Sequence, residues 1–494
     1  MSVIAALLLI IPFLAGLASS AAPPRAGQAL TAVTGVASFG LVLALIPDAS
    51  QRAATYFGFI RVDALSVVFL LATSFLYATV AIYSIGYLRG GHGHDASARY
   101  TRRFSLGLNL FAWSMLAAPL MSNLALLWVA VEVTTVISAL LVAIEGTDGA
   151  AEAAWKYILI ASAGLSIALL GTIFMYYAGE QVLGPHYSMA FTPLLQSARH
   201  LAIVPVRIAF VLAVLGFGTK VGLFPVHTWL PDAHSEAPTP VSALLSGSLL
   251  AVSFYAILRY YQVAVAALGP RFPRDVLLVF GVATLLLAAL YLLDQRDYKR
   301  LLAYSSMEHM GILAIGVSFG APIALAGVLL HVLAHAAAKG NAFMGSGVLL
   351  RKFGSKRISS VRGGLDLLPW SGPLFLAAIL ALCAMPPFGI FRSEFEIVRG
   401  GLAADANVPA VILVVLVTVA FLGLTLATNR MMLSPPRHPP GQEADTALTR
   451  GEPSAWMVVP VAVGLVALLV LGLHPPGELT GLLARAVAQL GGTS

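Results

Sequence analysis

Apolar runs of about 20 residues recur along the whole chain, and they limit its fold more than any other feature. A run of that length lets a helix cross the hydrocarbon core of a bilayer. Of the 494 residues, 59% are hydrophobic and only 10% are charged. A soluble chain of this length has too little interior to bury so much apolar surface. The sequence therefore predicts an all-α polytopic membrane protein and excludes a soluble enzyme, a disordered chain and a disulfide scaffold.

The apolar runs, separated by turn and charge signals, predict about 14 transmembrane helices. They lie near residues 2–20, 27–46, 63–85, 104–121, 123–143, 155–178, 202–224, 238–262, 275–293, 300–319, 322–350, 370–386 (continuing to about 402), 407–427 and 455–473. The Pro-rich loop Ser434–Ser454 is predicted to be irregular. The amphipathic tail Glu478–Leu490 is predicted to lie along the membrane interface.

The distribution of basic residues predicts the orientation of the chain. An even number of spans puts both termini on one side, and many Arg and Lys residues then fall on the other side. These are Arg89, Arg99, Arg102, Arg103, Arg296, Lys299, Arg300, Arg351, Lys352, Lys356, Arg357, Arg362, Arg430, Arg437 and Arg450. Because cytoplasmic loops accumulate basic residues, we expect both termini on the periplasmic side of a bacterial cytoplasmic (inner) membrane. The run Ser2–Leu17 has no basic segment before it, which favours a retained span over a cleaved signal peptide.

No cofactor is expected in this chain. Its single cysteine, Cys383, excludes an intrachain disulfide and any iron–sulfur cluster or zinc site built on cysteines. The run Gly91–Asp95 contains two histidines but lies in a polar loop without further ligands, so we expect no metal there. The net charge of +7 follows from basic cytoplasmic loops and does not indicate a nucleic-acid partner.

Two predicted spans are interrupted by glycines and prolines. The first break lies between Gly216 and Asp232, and the second between Ala384 and Glu394. Paired broken helices, one in each half of a chain, are typical of the ion site of an inverted-repeat transporter. Each break frees backbone carbonyls, which require a hydrated cavity or protein partners at membrane depth. The alternative is a pair of ordinary proline kinks.

Ionisable residues occur within the apolar runs. Three of the chain's few lysines, Lys156, Lys220 and Lys339, lie there, and so do the carboxylates of Glu132 and Glu394. A desolvated lysine can lose its proton near neutral pH, whereas arginine holds its proton. Because charges inside a membrane are costly, such residues are candidates for a functional role. The alternative for any one of them is a structural ion pair or a side chain that reaches the interface.

His331, His335 and Lys339 are four residues apart and therefore share one face of a helix. A histidine pair at this spacing can ligate zinc or haem. No third carboxylate or thiol ligand is near it in the sequence, and a lysine occupies the next turn. The pattern favours a proton relay, to which Glu308 and His309 add two titratable groups.

The segment Lys220–Gly247 resembles the signature of the antiporter-like membrane subunits of respiratory complex I, which are related to the multi-subunit sodium/proton antiporters and the membrane-bound hydrogenases. Further matches, in family order, are Val62–Ser66, Trp128–Glu132, Lys299–Ser306, His331 to Lys339, Gly363–Leu365 and Pro386 to Glu394. The amino-acid sequence of the segment Ser305–Gly311 is most similar to that of the F-type membrane component of hydrogenase-4. A middle-type membrane protein of complex I is the alternative.

The resemblance implies two inverted five-helix repeats with discontinuous helices 7 and 12. Residues 1–103 then form helices 1–3, 104–262 the first repeat (helices 4–8) and 275–427 the second repeat (helices 9–13). Residues 428–494 form the polar loop, helix 14 and a short tail.

The resemblance also implies roles for individual residues. Glu132 matches the carboxylate of the fifth helix, and Lys220 matches the lysine of the broken seventh. His331, His335 and Lys339 match the relay of the eleventh helix, while Glu394 matches the charge of the broken twelfth. The supporting residues are Lys156, His227, Asp232, His234 and Lys299.

One departure from the family pattern concerns the eighth helix. Many members carry a lysine there, but Gly247–Tyr255 has no charge in this chain. The link between the two half-channels must then use His309, Glu308 or water.

We therefore predict a proton-translocating subunit of a redox-driven respiratory or hydrogenase complex, with other membrane subunits and the lipid bilayer as partners. In the predicted mechanism Glu132 pairs with Lys220, and loss of the pair releases a proton toward His335, Lys339 and Glu394. The alternatives are a sodium/proton antiporter subunit and a non-pumping membrane scaffold for a hydrogenase or dehydrogenase arm.

Overall fold

The computed structural model describes residues 1–89, 98–435 and 448–491. The run Gly91–Asp95 and most of the predicted loop Ser434–Ser454 lie outside these residues. The regular secondary structure of the described residues is helical, except for one short antiparallel hairpin, β1 (Ala54–Tyr56) and β2 (Ile60–Val62).

The helices follow the predicted apolar runs closely. The first half of the chain contains α1 (Ser2–Ala21), α2 (Pro24–Leu43), α3 (Ile46–Gln51), α4 (Ala64–Arg89), α5 (Ala98–Ala117), α6 (Leu124–Val142), α7 (Asp148–Leu183), α8 (Phe191–Gln196), α9 (Ile203–Val221), α10 (Leu230–Glu236), α11 (Thr239–Leu244) and α12 (Leu250–Leu268). The second half contains α13 (Arg271–Leu293), α14 (Tyr298–Phe319), α15 (Pro322–Phe353), α16 (Gly364–Leu367), α17 (Ser371–Leu382), α18 (Gly389–Ala403), α19 (Asn407–Met432), α20 (Ala455–Leu473) and α21 (Gly477–Gly491). A π-helical turn, Leu245–Leu249, joins α11 to α12.

Within the described residues, 11 helical segments are long and apolar enough to cross a membrane. The other predicted spans also fold as helices: α5, α14 and the pair α17–α18. α14 contains buried charged and histidine side chains, and the α17–α18 span is divided by the second break. The all-α polytopic fold is confirmed, whereas the count of fourteen spans stays a prediction.

Burial separates central helices from peripheral ones. α4, α15 and the continuous segment Thr239–Leu268 are buried along almost their whole length. α1, α13, α19 and α20 bury one side only and expose large apolar side chains on the other. Exposed apolar surface on this scale suits contact with lipid. The ionisable side chains of α15, His331, His335 and Lys339, are fully buried within the protein.

Small residues let neighbouring helices approach closely. At the crossing of α13 and α14, a Cβ added to Gly281 would lie 2.9 Å from the backbone nitrogen of Ile315, and one added to Gly311 would lie 2.9 Å from that of Leu285. Membrane helices gain little from the hydrophobic effect between themselves, so they depend on such close packing.

Both predicted breaks are present. α9 ends at Val221, Gly222 follows with φ +84°, and α10 begins only at Leu230. α17 ends at Leu382, and α18 begins at Gly389. The loops of both gaps are partly exposed, at Phe224 and at Met385, whereas Lys220 at the end of α9 is fully buried.

The loops of one face contact each other and carry many basic residues; we call this the basic face. Arg351 donates to the carbonyl of Gly86 at 2.8 Å, which joins the ends of α15 and α4. Ile358 N donates to the carbonyl of Arg296 at 2.9 Å, and Lys352 Nζ to that of Gly451 at 2.9 Å.

The opposite face carries the described ends of the chain and a buried ion pair. Arg259 of α12 donates from Nη2 to both carboxylate oxygens of Asp63, at 2.7 and 2.8 Å. Burial raises the pKa of Asp63, but Arg259 and Arg61 outweigh burial and hold that pKa well below its usual range. The C-terminal helix α21 is tied to this pair, since Gln262 donates to the carbonyl of Gln489 at 2.8 Å. The predicted amphipathic tail is therefore helical and docked on the central helices.

Candidate functional site

Lys220 lies at the first break, one residue before α9 ends. Its side chain is fully buried. The ammonium donates to the hydroxyls of Thr134 at 2.6 Å and Thr135 at 2.9 Å on α6. A third bond reaches the carbonyl of Val131 at 3.3 Å. Three neutral oxygens thus hold the ammonium.

Glu132 is on the same helix as these acceptors but does not pair with Lys220. One oxygen of Glu132 accepts a bond from Ser162 of α7 at 3.1 Å. The other, Oε2, is buried and has no hydrogen-bond partner among the described residues. Among those residues Lys220 forms no ion pair. The direct ion pair between Glu132 and Lys220 in the predicted mechanism is therefore absent from this structure. The ammonium donates to Thr134 and Thr135 instead.

Lys339 repeats this arrangement in the second half of the chain. It is fully buried on α15 and donates to the hydroxyl of Ser305 and, at 3.1 Å, to the carbonyl of Leu302, both on α14. Glu308 lies one turn further along α14, and its Oε2 is buried with no hydrogen-bond partner among the described residues. Each half of the chain thus has a buried lysine on hydroxyl and carbonyl oxygens, with a carboxylate on the acceptor helix.

Three histidines and one carboxylate form a cluster where α14, α15 and α18 meet; we call it the histidine cluster. Its members are His309, His331, His335 and Glu394. The ring centroid of His309 is 5.1 Å from that of His331 and 5.2 Å from that of His335. His309 Nδ1 is 4.0 Å from Glu394 Oε1. The fold therefore brings together four residues that the sequence holds on three separate helices.

Hydrogen bonds define which nitrogens of the cluster carry protons. The hydroxyl of Ser393 donates to the carbonyl of Ile390 at 2.8 Å, so its oxygen accepts from His331 Nδ1 at 2.9 Å. A neutral His331 then has its lone pair on Nε2. That nitrogen accepts from His309 Nδ1 at 3.0 Å. In the neutral cluster the free lone pair of His309 is on Nε2, which has no partner among the described residues.

Two hydroxyls meet where the uncharged π-helical turn between α11 and α12 contacts α14. Ser246, in the π-helical turn, and Ser306 of α14 are 2.7 Å apart through their oxygens. We call this contact the hydroxyl bridge. Ser306 follows Ser305, which accepts from Lys339. Of the candidates for the link, which were His309, Glu308 and water, His309 lies in the histidine cluster, and the choice among them stays a prediction.

The structure places the two supporting lysines, Lys156 and Lys299, in different environments. Lys156 lies inside a predicted apolar run, but its side chain is half-exposed. Its ammonium pairs with the carboxylate of Asp232 at 3.3 Å. Lys299 is buried and donates to the carbonyls of Ser235 at 3.0 Å and Ala237 at 2.6 Å, which closes the end of α10.

The two histidines of the signature segment differ. His234 donates from Nδ1 to the carbonyl of Leu230 at 2.8 Å and has no partner on Nε2 among the described residues. His227 lies between the rings of Phe224 and Tyr291, at 6.2 Å from each, with Nδ1 unpartnered among those residues.

Sequence reasoning missed the hydroxyl side chains. Thr134, Thr135 and Ser393 hold the ionisable groups in position, and Ser246 completes the hydroxyl bridge. Serine and threonine are common in membrane helices, where they bond to their own backbone. Ser246, Ser306 and Ser393 lie within the family-like segments, which is the signal that could have drawn attention to them.

One group in the cluster has the donor atoms for a metal ion. One ligand atom each of His309, His331 and Glu394 lie within 4.8 Å of one another, and all three residues are buried. The fold brings Glu394 to His331 from α18, so a carboxylate that is distant in the sequence lies near this histidine in space, and the expected absence of a metal stays a prediction.

Comparison with known proteins identifies the family. Residues 121–421 match the family described as NADH:quinone oxidoreductase/Mrp antiporter, TM. The chain is 37% identical over 365 residues to the hydrogenase-4 component F homolog of Methylacidiphilum infernorum, which covers 73% of this chain and 76% of the relative. It is 31% identical over 422 residues to the NADH-quinone oxidoreductase subunit N of Desulforudis audaxviator, which covers 83% and 81% of the two chains.

The fold is similar to a chain of the Mrp complex from Dietzia sp., with a TM-score of 0.84, 21% sequence identity and coverage of 99% of this chain and 98% of the other. The match spans more than half of the sequence, and the first of these relatives is a hydrogenase-4 component F homolog. The resemblance seen in the sequence is confirmed: this chain belongs to the NADH:quinone oxidoreductase/Mrp antiporter family of membrane proteins.

Proposed function

We propose that this chain moves protons across a bacterial cytoplasmic membrane as one membrane subunit of a redox-driven respiratory or hydrogenase complex. The observation that carries the proposal is the pair of fully buried lysines, Lys220 and Lys339, each held by neutral oxygens. Lysine can give up its proton when it is desolvated, and neutral acceptors stabilise the charged form less than a carboxylate does. The names of the relatives support a membership in multi-subunit complexes.

The proposed path begins in residues 104–262. Glu132 lies one residue from Val131 and two from Thr134, both of which hold Lys220. A change in the protonation or position of Glu132 alters the field at the Lys220 ammonium and so controls whether it keeps its proton. This electrostatic control needs no direct ion pair.

The proposed path then crosses to residues 275–427 through the hydroxyl bridge. Hydroxyls can donate and accept in turn, so Ser246 and Ser306 can pass a proton or orient a water molecule. On the far side, Ser305 contacts Lys339.

The exit of the proposed path is the histidine cluster. A proton added to Nε2 of His309 makes that ring a cation, and the Nδ1 proton can then move to His331 Nε2, 3.0 Å away. Glu394 is the most exposed member, with 12% of its side chain accessible, and it is the proposed release point. Both termini are proposed to lie on the periplasmic side, because the basic face suits the cytoplasm.

Proton translocation in inverted membrane vesicles that contain the intact complex tests this function. Lys220→Ala and Glu132→Gln are expected to reduce proton uptake strongly, with the complex still assembled. Lys220→Arg is expected to fail as well, because arginine keeps its charge but does not release its proton. Lys352→Ala, at the half-exposed end of α15, is the matched control and is expected to transport normally.

Unchanged pumping by Lys220→Ala in an assembled complex would contradict the proposal and favour a non-pumping scaffold. Uptake that requires sodium in the wild type would instead favour a sodium/proton antiporter subunit.

A further inference from the structure

We propose that His309, His331 and Glu394 form a binding site for a divalent transition-metal ion of the Zn²⁺ class. Imidazole nitrogens and carboxylate oxygens bind Zn²⁺ at about 2.0–2.2 Å. Ligand atoms of a tetrahedral site are therefore about 3.3 Å apart. His309 Nδ1 and His331 Nε2 are 3.0 Å apart, which is close to this spacing.

Glu394 needs only a small movement to complete the set. Its Oε1 is 4.0 Å from His309 Nδ1, and the three ligand atoms lie within 4.8 Å of one another. A rotation of the carboxylate that brings it closer by about 0.7 Å gives tetrahedral spacing to His309. Glu394 is on α18, which begins just after the second break, and 12% of its side chain is accessible.

Hydrogen bonds outside the site already orient its ligands. His331 donates from Nδ1 to Ser393, so its Nε2 lone pair faces His309 and is available to a metal. A ligand histidine whose other nitrogen donates to an oxygen is the usual arrangement in metal sites.

His309 can also present a lone pair. Its Nε2 has no partner among the described residues, so its proton can move there and leave Nδ1 free for the metal. His335 is a candidate for the fourth ligand, because its ring is 5.2 Å from that of His309 and neither of its nitrogens has a partner among those residues. A water molecule is the alternative fourth ligand.

Metal binding would replace the hydrogen bond between His309 and His331, with the His309 proton moved to Nε2. The same lone pairs cannot hold a metal and transfer a proton, so an occupied site blocks this step. This consequence for transport rests on the proposed function, whereas the binding site itself does not.

Metal binding to the full chain, purified within its complex, tests the site directly. Co²⁺ is the probe, because four-coordinate Co²⁺ absorbs visible light far more strongly than the hydrated ion, and Zn²⁺ content after desalting gives the stoichiometry. The expected result is one metal per chain and a visible band that Zn²⁺ abolishes. Glu394→Gln, which keeps the shape of the side chain, is expected to weaken the affinity more than about 10-fold. His331→Gln gives a second variant on a different helix.

Control variants remove histidines outside the site. His200→Gln and His474→Gln delete exposed side chains, and His92→Gln with His94→Gln deletes the pair in the run Gly91–Asp95. All of them are expected to keep the band. If the band survives in Glu394→Gln and His331→Gln but is lost in any of these controls, or if no band forms, the site is overturned.

Transport separates this proposal from the proposed function. Zn²⁺ is expected to inhibit proton uptake by the wild-type complex at concentrations that fill the site. If the metal binds as expected but uptake continues, the metal site stands and the proton path through the histidine cluster is contradicted.

Discussion

Lys220 and Lys339 hold their ammonium groups on hydroxyl and carbonyl oxygens and not on carboxylates. A carboxylate partner would stabilise the charged form strongly and so hold the proton. Neutral oxygens satisfy the hydrogen bonds of the ammonium while stabilising its charge less. The same acceptors can bond a neutral amine, so the residue keeps partners in both protonation states. A residue that must load and unload a proton in every cycle benefits from this arrangement.

The hydroxyl bridge gives a prediction for a single side chain. Ser306→Ala is expected to slow proton uptake by about 2- to 10-fold, equivalent to about 0.5–1.5 kcal/mol for one hydrogen bond. The measurement is the initial rate of uptake by vesicles with matched amounts of complex. The control is Ser346→Ala, since Ser346 is also buried but bonds to the carbonyl of Phe343 in its own helix. Equal rates of uptake for wild type and Ser306→Ala would contradict a role for the hydroxyl bridge in the proposed proton path.

The Asp63–Arg259 pair gives a prediction about stability. Asp63→Asn leaves Arg259 buried without its charge partner, which is expected to cost about 3–5 kcal/mol of folding free energy. The thermal unfolding midpoint in detergent measures the loss. Asp275→Asn is the control, because its pair with Arg271 is exposed and contributes little. A midpoint for Asp63→Asn as high as that of the control would contradict the assigned role.

The same pair has a defined pH dependence. The pKa of Asp63 in the folded state is below its ordinary value of 3.8. Its contribution to stability is therefore complete above that pH and declines as the pH falls toward the lower folded value.

At the scale of elements, packing of small residues decides how closely the helices approach. α13 and α14 meet at Gly281 and Gly311, where neither helix has room for a Cβ without displacement. α14 carries Glu308 and His309, so a displacement of α14 at this crossing would also move these two side chains relative to α15. Such a movement would change the distance between His309 and His331.

Gly281→Leu is expected to separate these two helices. Overpacking of this kind costs about 1–3 kcal/mol, and we expect both a lower unfolding midpoint and a lower rate of proton uptake. Gly40→Leu is the matched control, since a Cβ added at Gly40 would meet no atom within 4 Å. A variant Gly281→Leu that behaves like Gly40→Leu would show that the crossing tolerates a larger separation.

At the scale of the whole molecule, the two faces differ in charge and in what they hold. The basic face joins the ends of α4, α13, α15 and α20, whereas the other face holds the hairpin and α21. Lys220, Lys339 and the histidines of the histidine cluster are fully buried within the protein.

The orientation of the whole chain can be tested by labelling. In a Cys383→Ser background, Glu478→Cys is expected to react with a membrane-impermeant maleimide in intact spheroplasts, and Arg296→Cys only after the membrane is opened. Both positions are exposed and lie on opposite faces. Labelling of Arg296→Cys alone in intact spheroplasts would reverse the predicted orientation.

The sequence by itself determined the membrane class, the helix positions and the two breaks, because each depends on local properties. A run of about 20 apolar residues spans a bilayer wherever it occurs, and glycine and proline interrupt a helix through their own backbone geometry. The sequence also identified the ionisable residues, since a charge within an apolar run is visible without a structure.

Tertiary structure alone decided which of those residues meet. Lys220 bonds to Thr134 and Thr135 on another helix, not to Glu132 as the sequence suggested. Glu394 approaches His331 from a third helix, although the two residues are far apart in the sequence. The physical reason is that such contacts depend on helix rotation and separation, which the close packing of side chains from several helices determines together. The spacing of residues along the sequence does not specify how these helices pack.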